Sequence, residues 1–234
     1  MNLLKKLSPF RRFQLAEQLS MAAYPTHKFS DFGRIWLEDQ EFLNKYAETM
    51  DKDNWHSLDR KYLLREMLYQ VRHLPGDFAE CGVYKGASAY WMCRAAAPGR
   101  MVHLFDSFKG LPKPSERDGD HWVEGKFSDT STSEVIKNLA PYRDFYLHAG
   151  WIPQSFHDFD SPISFLHIDV DLYTPTLRSL IGLWRYVIPG GIMICDDYGF
   201  AQCPGAKRAV DEFFQSRPEN VSSLPTGQAL VIKQ

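Results

Sequence analysis

The sequence predicts an α/β protein whose mostly parallel β-sheet is covered by helices on both faces. Two observations lead to this prediction. From residue 77 onward, short apolar runs of strand length alternate with stretches of helical periodicity, which is typical of parallel strands joined by helical crossovers. The chain also has 234 residues, 44% of them hydrophobic, which is enough for one core.

Helical segments precede the first strand and predict an extension to the main domain. Apolar side chains recur at spacings of three and four residues in the stretches 10–23, 34–50 and 57–74. The last of these begins after Ser57, a suitable N-cap, and ends before Pro75, which cannot continue a helix. We therefore assign residues 1–56 to an N-terminal helical extension and residues 57–234 to the main domain.

The strands expected in the main domain lie in DFAECGV, MVHLFD, FYLHAG, ISFLHID and GGIMICDD, with a helix, ASAYWMCRAAA, after the first. The end of the chain predicts two short strands around a turn at 225–227. Residues 107–133 fit neither pattern. Because Trp122 and Phe127 favour a loop that packs on something over a disordered one, we expect residues 111–131 to form a lid.

Composition and charge favour a small-molecule partner. The net charge of -2 gives no general attraction to nucleic acid. Because no stretch has the length and apolarity of a membrane span, and the start lacks the apolar core of a secretion signal, we expect a cytoplasmic protein. The basic and apolar start, MNLLKKLSPFRRF, favours a packing or dimer-forming helix over one that touches a membrane. The cysteines lack metal-binding spacing and are interpreted as reduced, buried thiols.

A glycine turn follows the first predicted strand. In FAECGVYKG, Glu80 ends the strand, and Gly82 and Gly86 allow a tight turn before a helix whose N-terminus favours an electron-rich ligand. Asp106 ends the second strand, where an acidic side chain can accept hydrogen bonds from ribose hydroxyls. A purely structural turn would show the same glycines, and a helix-capping aspartate would look the same as Asp106. Because the two features occur together at two strand ends, nucleoside binding is favoured.

Carboxylates follow two later strands. Asp169 and Asp171 come after ISFLHI, and Asp196 and Asp197 come after GGIMIC. If these strands are neighbours, the carboxylates converge, and each would raise the pKa of the others unless a cation neutralised them. Oxygen ligands of this kind suit Mg²⁺ or a similar hard ion. Any one of these aspartates could instead cap a helix, but the whole set favours a metal site with a free carboxylate beside it.

Three histidines receive weaker interpretations. His148 and His167 fall within predicted strands, and packing roles are favoured over ligand roles. His121 lies in the expected lid, where it could contact substrate.

The motifs GDFAECGVYKGAS, VHLFDSFKGLPKP, HIDVDLYTPTLRSL and PGGIMICDDYG…GAKRAVDEFF together resemble the macrocin O-methyltransferase (TylF-type) family, from about residue 57 to 215. These class I S-adenosylmethionine enzymes methylate sugar hydroxyls of antibiotics and other glycosides. The resemblance implies a Rossmann-like class I methyltransferase fold with a seven-stranded sheet. It also implies S-adenosylmethionine and Mg²⁺ as cofactors, and a homodimer or larger homo-oligomer.

The resemblance also implies roles for individual residues. The cofactor-binding residues would be Glu80, Gly82, Tyr84, Gly86, Ser88, Asp106, Ser107, Gly150, Trp151 and Asp169. The metal ligands would be Asp169, Asp196 and Asp197, and Asp171 would be the catalytic base. Relatives often carry Leu-Tyr-Glu-Ser-Thr after the second aspartate. Because this chain reads LYTPT there, the identity of the acceptor stays open.

The expected function is therefore S-adenosylmethionine- and Mg²⁺-dependent O-methylation of a sugar or glycoside hydroxyl, on a natural product or polysaccharide precursor. A catechol-type enzyme is disfavoured because Leu172 stands where those enzymes place a catalytic lysine. Two alternatives stay open. One is a metal-dependent glycosyltransferase that uses the Asp169-Val170-Asp171 motif, and the other is a non-catalytic methyltransferase-like scaffold.

Overall fold

The computed structural model describes residues 7–25, 35–49 and 57–234. The chain divides into two compact units, residues 1–45 and 46–234. Our predicted boundary after residue 56 falls outside the described residues and stays a prediction.

Helix α1, Pro9–Ala23, belongs to the first unit, and α2, Gln40–Thr49, runs across the boundary at residue 45. Before α1, the Ser8 hydroxyl accepts a hydrogen bond from the Arg11 amide at 3.3 Å. The single helix predicted over 34–50 is wrong, because a 3-10 turn at Ile35–Glu38 precedes α2. The Asp39 carboxylate accepts from the Phe42 amide at 2.9 Å, so it caps a new helix where the periodicity suggested continuation.

In the second unit, α3 spans Leu58–Val71 and starts after Ser57 as predicted. Its other helices are α4 Ala87–Ala95, α5 Thr132–Asn138, α6 Tyr173–Leu183 and α7 Pro204–Phe214. Its strands are β1 Asp77–Cys81, β2 Val102–Asp106, β3 Phe145–Ala149, β4 Ile163–Ile168, β5 Val187–Cys195, β6 Ser222–Ser223 and β7 Ala229–Ile232.

Helix α5 was not predicted. It begins after Ser131, whose hydroxyl accepts from the Glu134 amide at 3.2 Å. The spacing of Ser131 and Glu134 is that of a capping box, a sequence signal for a helix start.

One seven-stranded sheet forms the centre of this unit, with the order β3-β2-β1-β4-β5-β7-β6. The pairs from β3 to β5 are parallel, and β7 is antiparallel to both β5 and β6. The predicted seven-stranded, mostly parallel sheet is therefore confirmed. The chain order reverses between β1 and β4, and in sheets of this kind the crevice beyond that point is where ligands bind.

The core is built on the central strands. Every residue of β4 is buried, so both faces of the sheet are covered. Helices α3 and α4 pack against each other, and so do α6 and α7. All four cysteines are buried free thiols, as predicted. No helix in the described part of the chain combines the length and apolarity that membrane crossing requires.

His148 on β3 is expected to make the folded protein less stable in acid. Its Nε2 lies 3.0 Å from His103 Nδ1, and its ring stacks on Phe105 with centroids 4.2 Å apart. Burial, and then the charge of His103, lower the pKa of His148 from the usual 6.5 to about 4. Between these values the unfolded chain binds a proton that the folded chain does not, so stability falls as the pH drops from 6.5 to 4.

We expect His148→Gln to lose less stability than the wild type between pH 7 and pH 4.5 in urea denaturation. His157→Gln, at an exposed histidine, is the matched control and should follow the wild type. Equal losses in His148→Gln and the wild type would contradict this assignment.

Candidate functional site

A cavity of about 550 Å³ opens where β1, β2, β4 and β5 end. Its volume is in the range of small-molecule sites. Most of the predicted site residues line it, namely Gly82, Tyr84, Ser88, Asp106, Ser107, Trp151, Asp169, Asp171 and Asp197. The other predicted site residues lie within two positions of these in the chain but not on the cavity wall, namely Glu80, Gly86, Gly150 and Asp196.

The glycine turn after β1 brings backbone into close contact with β4. Gly82 has φ 88°, and a Cβ at this position would lie 1.8 Å from the Asp169 carbonyl oxygen. Gly86 also has a positive φ, 87°, and is the N-cap of α4, but a Cβ there would make only ordinary contacts, with Val135 at 3.5 Å and Leu139 at 4.0 Å. Glycine is therefore required at position 82 for two reasons, because a side chain would clash with the Asp169 carbonyl and because the φ is positive.

Asp106 connects the loops after β1 and β2. Its Oδ2 accepts from the amides of Val83 and Tyr84 at 2.8 and 2.9 Å, and its Oδ1 accepts from the Phe108 amide at 2.7 Å. A carboxylate offers about four acceptor positions, so about one remains for a ligand hydroxyl. The predicted contact with ribose would use this position.

The carboxylates after β4 and β5 converge as the sequence suggested, because these strands are neighbours. Ligand atoms of His167, Asp169 and Asp196 lie within 4.8 Å of one another. The same holds for Asp171, Asp197 and Cys203. The predicted metal ligands are thus brought together at one edge, although they fall into two adjoining groups.

Asp171 has a constrained backbone. Its φ is 57°, in the left-handed region, and the Leu172 amide donates to the Val170 carbonyl at 2.6 Å, closing a tight turn around it. Its own amide donates to Asp197 Oδ2 at 2.8 Å. Residues other than glycine adopt this conformation at a cost of order 1 kcal/mol, and such positions cluster at functional sites.

Desolvation and mutual repulsion raise the pKa values of these carboxyls. Burial raises the pKa of Asp171 well above its usual range, and the charges of Asp197 and Asp169 raise it further. Burial, then Asp169 and Asp196, raise the pKa of Asp197 to about 8. The edge therefore carries more negative charge than it can hold ionised without a cation.

Arg60 of α3, which the sequence analysis missed, lies on the cavity wall among these carboxylates. Its Nη2 pairs with Asp196 Oδ2 and lies 3.9 Å from Asp197 Oδ1. Its guanidinium carbon lies 4.4 Å from the centroid of the Phe200 ring. Burial opposes its charge, but the carboxylates outweigh burial and raise its pKa. Its buried Nε has no hydrogen-bond partner.

Behind the wall, His167 bridges two buried carboxylates. Its Nδ1 lies 3.0 Å from Glu80 Oε1, and its Nε2 lies 3.4 Å from Asp196 Oδ1, which also accepts from Gln228 Nε2 at 2.5 Å. Burial lowers the pKa of His167, but both carboxylates more than compensate and raise it to about 10. His167 is therefore a buried cation in this state and cannot offer a lone pair to a metal.

A second missed residue, Lys61, also lines the cavity, and its Nζ donates to the Ser88 hydroxyl. Arg60 and Lys61 share a helix face with the buried Leu64 and Leu68. Basic residues among the apolar positions of a helix were a signal that could have identified them.

The loop predicted as a lid packs over the cavity. The Leu111 amide donates to the Lys126 carbonyl at 2.8 Å, and the Tyr173 amide donates to Asp118 Oδ1 at 2.6 Å. His121 and Trp122 line the cavity, and Trp122 also packs on the core. Whether the loop closes on a ligand stays a prediction.

A protein-family model matches most of the chain. The family model described as Macrocin-O-methyltransferase (TylF) matches residues 18–222. The chain belongs to this family. The resemblance drawn from the sequence motifs is therefore confirmed.

Curated relatives of this TylF-family chain are named as O-methyltransferases. It is 33% identical over 156 residues to demethyldecarbamoylnovobiocin O-methyltransferase of Streptomyces niveus, with 60% of this chain and 59% of that protein covered. It is 28% identical over 159 residues to mycinamicin III 3''-O-methyltransferase of Micromonospora griseorubida, with 60% and 61% covered. The chain spans about three-fifths of the length of the curated relatives it matches.

Solved structures support the fold. The O-methyltransferase NovP has a TM-score of 0.65 at 24% identity, over 77% of this chain and 83% of that one. The calicheamicin methyltransferase CalS11 has a TM-score of 0.66 at 18% identity, over 97% and 93%. These likenesses confirm the Rossmann-like class I methyltransferase fold.

The contact between Gly82 and the Asp169 carbonyl can be tested by alanine substitution, with Gly86 as the control. Gly86→Ala adds only left-handed strain and should lower the free energy of unfolding by about 1–2 kcal/mol. Gly82→Ala adds the same strain and a clash with the Asp169 carbonyl, so we expect a loss of about 2–5 kcal/mol. Urea denaturation of both variants measures the difference. Equal losses would show that the loop after β1 moves freely away from β4.

Proposed function

We propose that this protein transfers a methyl group from S-adenosylmethionine to a hydroxyl of a sugar or glycoside, with Mg²⁺ or a similar divalent cation. The observation that carries the proposal is the single cavity wall on which the glycine turn after β1 meets the carboxylates after β4 and β5. Family membership and the named activities of the relatives support the same reaction class.

The groups behind the glycine turn fit the amino-acid end of the cofactor. Glu80 is fully buried, and its Oε2 has no hydrogen-bond partner. A buried acceptor in this condition is costly unless a donor completes it. The cofactor's ammonium group is such a donor. The backbone of Gly82 lies on the cavity wall, and Ser88 offers a hydroxyl there.

The carboxylate edge fits a divalent cation by donor type and by charge. Asp169, Asp171 and Asp197 present oxygen donors to the cavity, and Asp196 lies directly behind them. Among the described residues, five carboxyl groups face three cationic side chains, Arg60, Lys61 and His167. When bound, such a cation supplies the Lewis acidity that makes a hydroxyl more acidic. Asp169 and Asp197 would hold it from the wall, and Asp196, whose oxygens pair here with Arg60, His167 and Gln228, would join them by exchanging the Arg60 contact for the cation.

Asp171 is the group that would accept the proton from the acceptor hydroxyl. An ordinary aspartate, with a pKa of about 3.9, is a very weak base. Because burial, the largest cause, raises the pKa of Asp171, its carboxylate accepts a proton more readily than that of an exposed aspartate. Its turn fixes the side chain on the cavity wall, where a hydroxyl can be aligned with the methyl donor.

The aromatic wall supports a bulky acceptor. Trp122, Phe127, Trp151 and Phe200 line the cavity, and aromatic faces of this kind pack well on the apolar faces of sugars and polyketides. We further propose action in the cytoplasm on a small molecule, as a homodimer or larger homo-oligomer. The family resemblance supports the assembly, and the four free cysteines support a reducing compartment such as the cytoplasm.

Calorimetric titration with S-adenosylhomocysteine, the reaction product, tests the proposal. We expect saturable binding in the absence of metal, and methylation of a panel of glycosides that is abolished by EDTA and restored by Mg²⁺. A nucleotide-sugar serves as the control ligand. Metal-dependent binding of the nucleotide-sugar without binding of the homocysteine product would favour a glycosyltransferase and overturn the proposal. Product binding without turnover of any glycoside would favour the scaffold alternative.

Asp171→Asn separates proton transfer from binding. We expect methyl transfer to fall by about 10²–10⁴-fold, because the base is lost. Binding of S-adenosylhomocysteine by calorimetry and of Mn²⁺ by electron paramagnetic resonance should stay close to wild type. Asp169→Asn is the matched variant, and it should weaken Mn²⁺ binding about tenfold or more. Wild-type turnover by Asp171→Asn would remove the base assignment.

A further inference from the structure

We propose that Lys61 binds the α-carboxylate of the cofactor's methionine moiety, together with the hydroxyl of Ser88. The inference rests on the proposed function, because it names a binding group for the same cofactor. Lys61 belongs to α3 and lies outside the sequence motifs on which the family resemblance rests.

The position of Lys61 supports this role. Its side chain is buried, with the residue only 4% exposed, and it lines the cavity. Its Nζ donates to Ser88 Oγ, and Ser88 lies in the first turn of α4. The amides of a first helical turn have no partner within the helix, and they favour an anion. An ammonium group, a hydroxyl and a helix N-terminus therefore meet at one point of the wall.

The charges nearby match an amino-acid zwitterion. Glu80, with its unpartnered Oε2, suits the cofactor's ammonium, and Lys61 suits its carboxylate. Lys61 and Glu80 are close enough to interact electrostatically. Burial lowers the pKa of Lys61, so in the unliganded protein its charge is held at a cost that an incoming carboxylate would reduce.

A purely structural role would have a different signature. The charges of Asp196 and Asp169 also stabilise the Lys61 ammonium, so Lys61 could serve only to neutralise them. Loss of Lys61 would then weaken every ligand of the cavity alike. A direct contact predicts a loss only for ligands that carry the carboxylate.

The test is a thermodynamic cycle between protein variants and ligands. Calorimetry would measure the Kd of S-adenosylhomocysteine and of its decarboxylated analogue for the wild type and for Lys61→Met. We expect Lys61→Met to weaken binding of the full product about tenfold or more, because a charge-assisted hydrogen bond is lost. The decarboxylated analogue should bind both proteins within about twofold.

The control is Arg65→Met, which removes another largely buried cation of α3 from outside the cavity wall. It should leave both Kd values near wild type. If Lys61→Met does not fold, Lys61→Gln keeps a hydrogen-bond donor without the charge, and the same ligand dependence is expected. Equal weakening of both ligands, or no weakening of either, would overturn the assignment. A wild type that binds neither ligand would instead overturn the proposed function.

Discussion

The constraint on which the site depends is the crowding of carboxyl groups at the edge where β1, β4 and β5 end. Parallel strands deliver them there because their carboxyl ends share one edge, and the register sets Glu80 directly beside His167. Like charges in a poorly hydrated place oppose folding unless cations accompany them. The carboxyl groups concerned are Glu80, Asp169, Asp171, Asp196 and Asp197.

Much of the surrounding architecture supplies that compensation. Helix α3 places Arg60 against Asp196 and Lys61 against Ser88, so its docking on the sheet also neutralises the site. His167 adds a third cation from within β4 itself. The compensation is incomplete, as the raised pKa of Asp197 shows. A site held in this state is ready for ligands that bring positive charge, which a divalent cation and a sulfonium cofactor both do.

The fold and the carboxylate edge could be predicted because their signals are local. Alternation of apolar runs predicted the sheet, and strand-end aspartates predicted the carboxylate edge once β4 and β5 were taken as neighbours. Arg60 and Lys61 were missed because a helical period identifies a face and not the element it meets. His167 was interpreted as a packing residue, since its two carboxylate partners lie 87 and 29 residues away in the chain. Asp39 ended one predicted helix through a cap that periodicity alone does not detect.

The two ends of the proposed cofactor site differ in how much of their polarity is already used. At the nucleoside end, Asp106 accepts three backbone amides, and Ser107 accepts from the Lys109 amide and donates to the Gly110 carbonyl. These side chains primarily fix the shape of their own loops, so recognition there depends on shape and on few remaining acceptors. At the amino-acid end, Glu80 keeps an unpartnered buried oxygen and Lys61 keeps unused donors. A buried charged group without a hydrogen-bond partner costs more free energy than a polar group that water can reach. The amino-acid end of the site should therefore contribute more to discrimination among ligands than the nucleoside end.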